Sequence, residues 1–422
     1  MCLRKRSRFR LVNSIGNWGV DEKIILEEKM ARPSDAHDKP GVFESLYKSM
    51  SARLSRQLFN QVMCAQSHRP TLSLSLALAF ILAGIMYLVL IALGITGIVL
   101  LFTNFPNPAF IFLALLCFAL LYLLMPRLPE IQGEILSRQE FPALYQIADR
   151  VADALDAKPI DGIVLDWQFN AAFAQFGYRR TRILRLGLPL FDALEGQARV
   201  AVLAHELAHG VNGDPARGFF LGTALDMFAN WYSVLMPDAL LYMAGGNSPS
   251  AVIAHLGEWL ARLAMRGFAQ IPRVGAWVMV HLYWRDSQRA EYLADYLSTT
   301  VSGTDAMIAS LSTTFRGGDL FWSVAQKAAL NSGRINLFDE LRRQIASSSD
   351  ATSASEDWKD ARIDATHPPI GLRIEFLQAR RVTGARVIIP PSDWDRVERE
   401  LMPFRPRVQE KLEEMYKQSL YY

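Results

Sequence analysis

The stretch AVLAHELAHGVNGD, residues 201–214, decides how this sequence is interpreted. Residues 201–208 are rich in Ala, Leu and Glu and contain neither Gly nor Pro, so they predict a helix. In a helix, His205 and His209 stand one turn apart on the same face, with Glu206 beside them. This H-E-x-x-H spacing lets two imidazoles reach one zinc ion next to a glutamate. The alternative is a histidine pair that merely decorates a helix.

A catalytic zinc site needs a third protein ligand and an open position for water, because two histidines leave tetrahedral coordination incomplete. Glu291 is the candidate, in the predicted helix SQRAEYLADYLS, residues 287–298. Asp295 lies one turn further along the same face, where a carboxylate can accept the second ring N–H of a ligand histidine. Taken alone, such an E-x-x-x-D pair is more typical of a solvated helix face. Spacing also leaves rival ligands open: Asp214, Glu258 and Asp286.

A third motif, THPPIGLRIEF, covers residues 366–376. It holds His367 before two prolines and places Arg373 six residues later. A histidine pinned by rigid backbone can donate a hydrogen bond to the oxyanion of a hydrolytic intermediate. By itself the motif is weak, because a histidine in such a position is more often an ordinary loop residue.

Two uncharged, apolar runs predict a transmembrane hairpin. Residues 72–102 exceed the ~20 residues that cross a bilayer, and residues 109–125 fall at the short end of the spanning range. A buried hairpin in a soluble core is the alternative. The connecting loop carries no charge, whereas basic residues flank both outer ends, so the positive-inside bias places those ends in the cytoplasm. The flanking residues are Lys48, Arg53, Arg56, Arg69, Arg127 and Arg138.

The patterning predicts four regions along the chain. They are an N-terminal cytoplasmic region with an amphipathic helix (1–70), the transmembrane hairpin (71–126), the domain that carries the three motifs (127–385) and a C-terminal helical tail (386–422). The amphipathic helix, residues 43–62, suits packing on a soluble domain as well as it suits anionic lipid. Residues 219–245 and 266–284 are apolar but interrupted by charges, so further membrane segments there stay open. Residues 1–41 show no sustained period and predict irregular structure.

Composition excludes several classes. The 422-residue chain has a net charge of +3, which identifies no particular partner, and we expect no nucleic-acid partner. Cys2, Cys64 and Cys117 are few, odd in number and far apart, so they indicate neither a disulfide framework nor a cysteine zinc site. The N-terminus MCLRKRSRFR precedes mixed, charged sequence, which argues against a cleaved signal peptide. The remaining histidines are expected to be surface or packing residues: His37, His68, His255 and His281.

The motifs HELAHGVNGD, AEYLAD and THPPIGLRIEFL, in this order, resemble those of the HtpX-type membrane zinc metallopeptidases, relatives of the CAAX prenyl endopeptidases. The resemblance extends over roughly residues 140–380, together with the preceding hairpin. It implies a mainly α-helical gluzincin metallopeptidase domain with a small β-sheet. The domain would belong to an integral membrane protein with an N-terminal transmembrane hairpin.

The resemblance also implies the composition of the site. One Zn²⁺ per chain would be held by His205, His209 and Glu291. Glu206 would act as the general base, and Asp295 would accept a hydrogen bond from the second ring N–H of a ligand histidine.

The remaining implied residues concern the substrate. His367 and Arg373 would support the transition state or the substrate. The segment FNAAFAQFG resembles the family's strand beside the cleft, so its residues would pair with an extended substrate backbone. These are Asn170, Ala171, Ala172 and Phe173.

The function that follows is a membrane-anchored zinc endopeptidase acting on polypeptides. The resemblance implies membrane or misfolded proteins as substrates, a lipid bilayer as partner, and a cytoplasmic catalytic domain at a bacterial inner membrane. A CAAX-type prenyl-peptide endopeptidase and a non-proteolytic, zinc-containing membrane scaffold or chaperone are the alternatives. Glu206 argues against the scaffold, because a purely structural zinc site has no need of a base.

Overall fold

A computed structural model describes residues 42–64, 73–126, 130–177, 179–235, 251–331, 334–348 and 367–419. The described residues fall into two compact units. Those of Thr71–Leu128 and Arg217–Asp286 form the first, which we call the helical unit. Those of Trp18–Pro70, Pro129–Ala216 and Ser287–Tyr422 form the second, which we call the motif unit because it holds all three motifs. The region 1–41, predicted to be irregular, lies outside the described residues.

Helices dominate, as the sequence predicts, and a small four-stranded sheet accompanies them. The helices are α1 (Val42–Cys64), α2 (Leu74–Thr103), α3 (Pro108–Leu124), α4 (Pro142–Ala154), α5 (Leu188–Ala193), α6 (Gln197–Val211), α7 (Asp214–Leu235), α8 (Ala251–Ser302), α9 (Thr304–Leu330), α10 (Leu337–Ser347), α11 (Ile370–Ala379), α12 (Pro391–Leu401) and α13 (Phe404–Ser419). The strands are β1 (Ile135–Leu136), β2 (Gly162–Asp166), β3 (Ala171–Phe176) and β4 (Thr181–Gly187).

The sheet has the strand order β1-β2-β4-β3. The β2–β4 pair is parallel, and the β1–β2 and β3–β4 pairs are antiparallel. Buried Ile163, Leu184 and Leu186 anchor the two central strands in the core. Because β3 lies at an edge of the sheet, one side of its backbone does not pair with another strand of this sheet.

Helix α6, which carries the H-E-x-x-H motif, lies in the core of the motif unit. Its residues from Ala198 to His205 are all buried, and so are Leu207 and Ala208. The sequence explains this position, because apolar side chains surround the helix on nearly all sides rather than along one stripe. The motif histidines are therefore held by a helix that is buried along most of its surface.

The C-terminal segment after α11 packs on this same helix. The Arg199 guanidinium, at the start of α6, lies 2.6 Å from Glu398 Oε1 of α12 and stacks on the rings of Phe191 and Trp394. Its Nε also donates to the carbonyl of Leu194 at 2.7 Å. A buried cation with these partners ties α12 to the metal-motif helix.

Helix α1 covers the segment predicted to be an amphipathic helix. Its side chains Leu58, Phe59 and Val62 are buried in a cluster with Tyr292 and Phe376 of the motif unit. This part of α1 therefore packs against the rest of the motif unit.

The helical unit is built around α2. Leu76, Ala79, Ala83, Met86 and Leu90 are buried against α7 and α8, at helical spacings of three and four residues. The other faces of α2 are covered by exposed apolar side chains: Leu78, Ile81, Ile85, Leu88, Val89, Ile91, Ile95, Ile98 and Val99. Only 28% of its most apolar stretch is buried, which distinguishes α2 from the core helix of a soluble protein.

Within the described residues, α2 is the one helix long and apolar enough to cross a membrane. Helix α3 is apolar but has 17 residues, so the second half of the predicted hairpin falls short of that standard. The two further apolar regions lie in α7 and in α8. Within their described residues, neither helix is long and apolar enough to cross a membrane by the same measure. Residues 236–245 lie outside the described part of the chain.

We predict that Arg199→Ala destabilises the protein by about 3 kcal/mol, because it removes a buried cation and the hydrogen bonds that its Nε donates to the carbonyls of Phe191 and Leu194, although Arg405 still pairs with Glu398. Urea unfolding followed by circular dichroism measures the change. Arg381→Ala is the control: its pair with Asp305 is exposed, and we expect a change below about 1 kcal/mol. Equal effects of the two substitutions would contradict the role of the Arg199 cluster.

Candidate metal centre

Helix α6 places the two motif histidines on one face. His205 Nε2 and His209 Nε2 lie 3.2 Å apart, and their rings are mutually perpendicular. His205 is 5% exposed, so its orientation is set by packing rather than by solvent. The helical spacing of four residues thus converges the two ring nitrogens on one point, as the sequence predicts.

Glu291 of α8 completes a cluster of three potential ligands. Its Oε2 lies 3.5 Å from His205 Nε2, and its Oε1 lies 3.5 Å from His209 Nε2. A tetrahedral zinc ion with bonds of about 2.0–2.1 Å would separate its ligand atoms by about 3.3 Å. The 3.2 Å between the two Nε2 atoms is close to this value, and each imidazole lies 3.5 Å from one oxygen of Glu291. The three side chains could therefore hold a single ion with a fourth position left for water or substrate.

Each histidine has a carboxylate on its other ring nitrogen. His205 Nδ1 lies 3.0 Å from Asp295 Oδ1, and His209 Nδ1 lies 3.0 Å from Asp214 Oδ2. Carboxylates at both Nδ1 positions favour the tautomer in which each Nε2 carries the free lone pair. That is the form in which both nitrogens can bind a metal.

Asp295 is itself held by an arginine. Its carboxylate receives two hydrogen bonds from Arg373, from Nε at 2.7 Å and from Nη2 at 2.6 Å. Arg373 Nη2 also lies 3.5 Å from Glu291 Oε2. Asp295 is 0% exposed, and Arg373 is buried behind the three potential ligands.

The electrostatics of the cluster favour positive charge. Burial alone would lower the pKa of His205, but Asp295 and Glu291 outweigh it and raise that pKa to about 10. Burial alone would raise the pKa of Glu291, but His367 and the two motif histidines hold it well below its usual range. The site is therefore built to hold a cation next to an ionised Glu291.

Glu206 lies beside this cluster and contacts the edge strand. Its Oε2 accepts a hydrogen bond from the backbone N–H of Phe173 in β3 at 3.1 Å. A Cβ at Gly210 would meet the Phe173 ring at 2.8 Å, so the close approach of β3 to α6 requires glycine there. Burial is the main cause that raises the pKa of Glu206.

The backbone of β3 presents one side to β4 and the other away from it. Gly187 N donates to Asn170 O at 2.8 Å, which makes this pair hydrogen-bonded. By antiparallel alternation, Ala172 also pairs with β4, whereas the backbone groups of Ala171 and Phe173 point away from the sheet. Of the four residues predicted to bind substrate, Ala171 and Phe173 therefore direct their backbone N–H and C=O groups away from the sheet, and Asn170 and Ala172 direct theirs towards β4.

His367 lies at the solvent-facing side of the cluster. Its Nδ1 is 2.8 Å from Glu291 Oε2, and its side chain is 55% exposed. The structure therefore brings His367 and Arg373 to the same carboxylate, although one is exposed and the other is buried.

Two of the rival carboxylates, Asp286 and Asp214, lie outside the ligand cluster. Asp286 belongs to the helical unit and accepts hydrogen bonds from Ser73 and Ser75. Asp214 contacts the far side of the His209 ring, and the sequence signal for this contact is its position five residues after His209, following a glycine. The side chain of Glu258 lies outside the described part of the structure.

Of the four histidines predicted to be surface or packing residues, the structure describes the side chain of His281. His281 Nδ1 lies 2.8 Å from the carbonyl oxygen of Trp277 on the exposed side of α8, an ordinary helix-surface contact. His37 and His68, and the side chain of His255, lie outside the described residues.

A comparison with protein families matches residues 138–381 to the model of peptidase family M48. The match covers more than half of the 422-residue chain and includes all three motifs. No curated protein and no solved structure matches the chain.

Proposed function

Because this chain belongs to peptidase family M48 and is therefore a metallopeptidase, we propose that it is a membrane-anchored zinc endopeptidase of the HtpX type. The observation that carries the proposal is the convergence of His205, His209 and Glu291 at separations that suit one tetrahedral ion. Two imidazoles and one carboxylate form the ligand set of catalytic rather than structural zinc sites. We assign these three residues as the ligands of one Zn²⁺.

The other side chains then have distinct tasks. When bound, the ion supplies Lewis acidity, which activates water and polarises the carbonyl of a peptide. Glu206 takes a proton from the attacking water and returns it to the leaving amine, and its raised pKa makes it a stronger base. The N–H of Phe173 holds the Glu206 carboxylate in one orientation. No covalent enzyme intermediate forms.

His367 and Arg373 support the reaction in different ways. His367 is exposed beside Glu291, so it can donate a hydrogen bond to the oxyanion that develops on the substrate. Arg373 is buried, so it acts through Asp295 and Glu291 by keeping both carboxylates ionised and oriented.

We expect Glu206→Gln to retain the metal and to lower kcat by about 10²–10⁴-fold, because the amide cannot take a proton. Metal content and peptide-bond hydrolysis are measured on the same purified sample. Glu195→Gln, at an exposed glutamate just before α6, is the matched control and should keep full activity. Turnover close to that of the unmodified protein in the Glu206 variant would refute its role as base. Proteolysis that persists with the metal removed would refute the zinc mechanism.

The edge position of β3 supports substrate binding by strand addition. An extended polypeptide would pair with the outward backbone groups that begin at Ala171, next to Glu206. Of the four predicted residues, Ala171 and Phe173 would therefore bind substrate through the outward backbone groups that Glu206 leaves free, and Asn170 and Ala172 would hold the strand against β4. Binding through the backbone suits an enzyme that accepts varied sequences.

Replacing Ala171 by proline tests this backbone contact. Proline removes the outward N–H and leaves the hydrogen bonds to β4 in place, so we predict a KM raised about 3- to 10-fold with kcat little changed. Ala171→Gly keeps the N–H and should leave KM near its original value. An unchanged KM in the proline variant, with normal circular dichroism, would exclude strand addition at this position.

The exposed apolar surface of α2 supports membrane attachment. Thirty residues of helix measure about 45 Å, more than the ~30 Å of a bilayer core. With α3, whose apolar face is also exposed, α2 would form the N-terminal hairpin of residues 71–126. The region 1–70, the tail 386–422 and the peptidase domain (127–385), except for the parts of α7 and α8 that pack on α2, would lie in the cytoplasm of a bacterial cell. Membrane and misfolded proteins are then the substrates within reach.

Cysteine labelling in intact cells tests this topology. In a variant lacking the native cysteines, Asn104→Cys, between α2 and α3, should react with an impermeant maleimide added outside. Gln139→Cys, at an exposed position of the motif unit, should react only after lysis. Equal labelling of both positions in intact cells would contradict the proposed orientation.

The two alternative functions predict different results when hydrolysis of prenylated and unprenylated peptides is measured. A prenyl-peptide endopeptidase would cleave a prenylated peptide and not its unprenylated form. A zinc-containing scaffold or chaperone would hydrolyse neither substrate, and Glu206→Gln would leave its activity unchanged.

A further inference from the structure

The turn between α6 and α7 returns the chain to the metal-motif helix. Helix α6 ends at Val211, Gly213 adopts a left-handed conformation with φ of 74°, and α7 begins at Asp214. The Gly213 N–H donates to Gly210 O at 3.3 Å, which closes the turn. Because of this tight reversal, a side chain five residues after His209 comes back to its ring.

The Asp214 carboxylate meets the nitrogen of His209 that faces away from the ligand cluster. Its Oδ2 lies 3.0 Å from Nδ1, whereas Nε2 of the same ring points at His205 and Glu291. The two nitrogens lie on opposite sides of the imidazole, so Asp214 approaches the ring from outside the cluster. Both side chains are mostly buried, at 16% and 15% exposure, which strengthens the hydrogen bond relative to one in water.

Asp214 is also the first residue of α7, where a carboxylate suits the free N–H groups of the first turn. A carboxylate that accepts a hydrogen bond from Nδ1–H keeps the proton on that nitrogen and leaves the lone pair on Nε2. Asp295 has the same relation to His205, although its charge is balanced by Arg373.

We infer that Asp214 is a positioning residue that orients His209 and selects its metal-binding tautomer, so that each ligand histidine has its own supporting carboxylate. This inference rests on the proposed metal site and assigns to Asp214 a role other than that of a ligand. Removing such a partner costs a metal site about 10- to 100-fold in affinity.

The test measures Zn²⁺ affinity of the metal-free, full-length protein in detergent by competition with a chromophoric chelator. We expect Asp214→Ala to weaken binding about 10- to 100-fold and Asp214→Asn to recover part of the loss, because its amide oxygen still accepts the Nδ1–H bond. Asp305→Ala is the matched control, since Asp305 is an exposed aspartate in the first turn of α9. It should bind Zn²⁺ like the unmodified protein.

Further measurements separate the possible failures. His209→Ala should abolish tight binding, and if the unmodified protein itself fails to bind Zn²⁺, the proposed function is wrong. If the unmodified protein binds and Asp214→Ala binds equally well, only the inference about Asp214 is overturned. The absorption spectrum of bound Co²⁺ should keep its tetrahedral intensity in Asp214→Ala, and a change in coordination number would identify Asp214 as a ligand instead and overturn the inference.

Gly213→Ala tests the same contact without removing the carboxylate. A side chain at positive φ strains the turn that delivers Asp214, so we expect a loss of Zn²⁺ affinity in the same direction as for Asp214→Ala. Gly384→Ala imposes the same backbone strain at φ of 87° in the segment between α11 and α12 and should not change the affinity. Equal effects of the two glycine variants would overturn the inference.

Discussion

The buried carboxylate of Asp295 is the charge on which the rest of the metal centre depends. A fully buried carboxylate is tolerated only when opposite charge and hydrogen bonds replace its hydration. Arg373 supplies two of those hydrogen bonds, and the ring of His205 lies within 3.0 Å. These partners come from α11 and α6, so one carboxylate on α8 joins all three sequence motifs. The same contacts place Glu291, one turn earlier on α8, opposite the two imidazoles.

The packing around α6 makes this arrangement rigid. The helix is buried on nearly all sides, its first turn is held by the Arg199–Glu398 pair, and β3 packs against Gly210 near its end. Catalytic geometry has to be held within a fraction of an ångström, and side chains on a fully packed helix meet that requirement better than side chains on a loop. The small sheet contributes by bringing a free strand edge beside Glu206.

Much of the candidate site could be predicted from the sequence. His205, Glu206 and His209 lie on one helical face, and Glu291 with Asp295 forms a second set one turn apart, as their spacing predicts. Glu291 was the candidate third ligand, but spacing along the chain could not exclude Asp214, Asp286 and Glu258, because it does not show which carboxylate packs against α6. The role of Asp214 was missed, because a reversal through Gly213 is a backbone event that a list of ligand residues does not reveal.

Local sequence was enough to predict the helices of the H-E-x-x-H and AEYLAD segments, the spacing of the motif histidines and the charge-free length of α2, because these features depend on interactions within a few residues along the chain. Long-range packing determines which distant carboxylate meets the histidines, which nitrogen of each ring it contacts, and which face of α2 is covered by α7. Those outcomes depend on how helices pack and on how buried charges find partners. Both are properties of the whole fold, and residue spacing along one helix does not encode them.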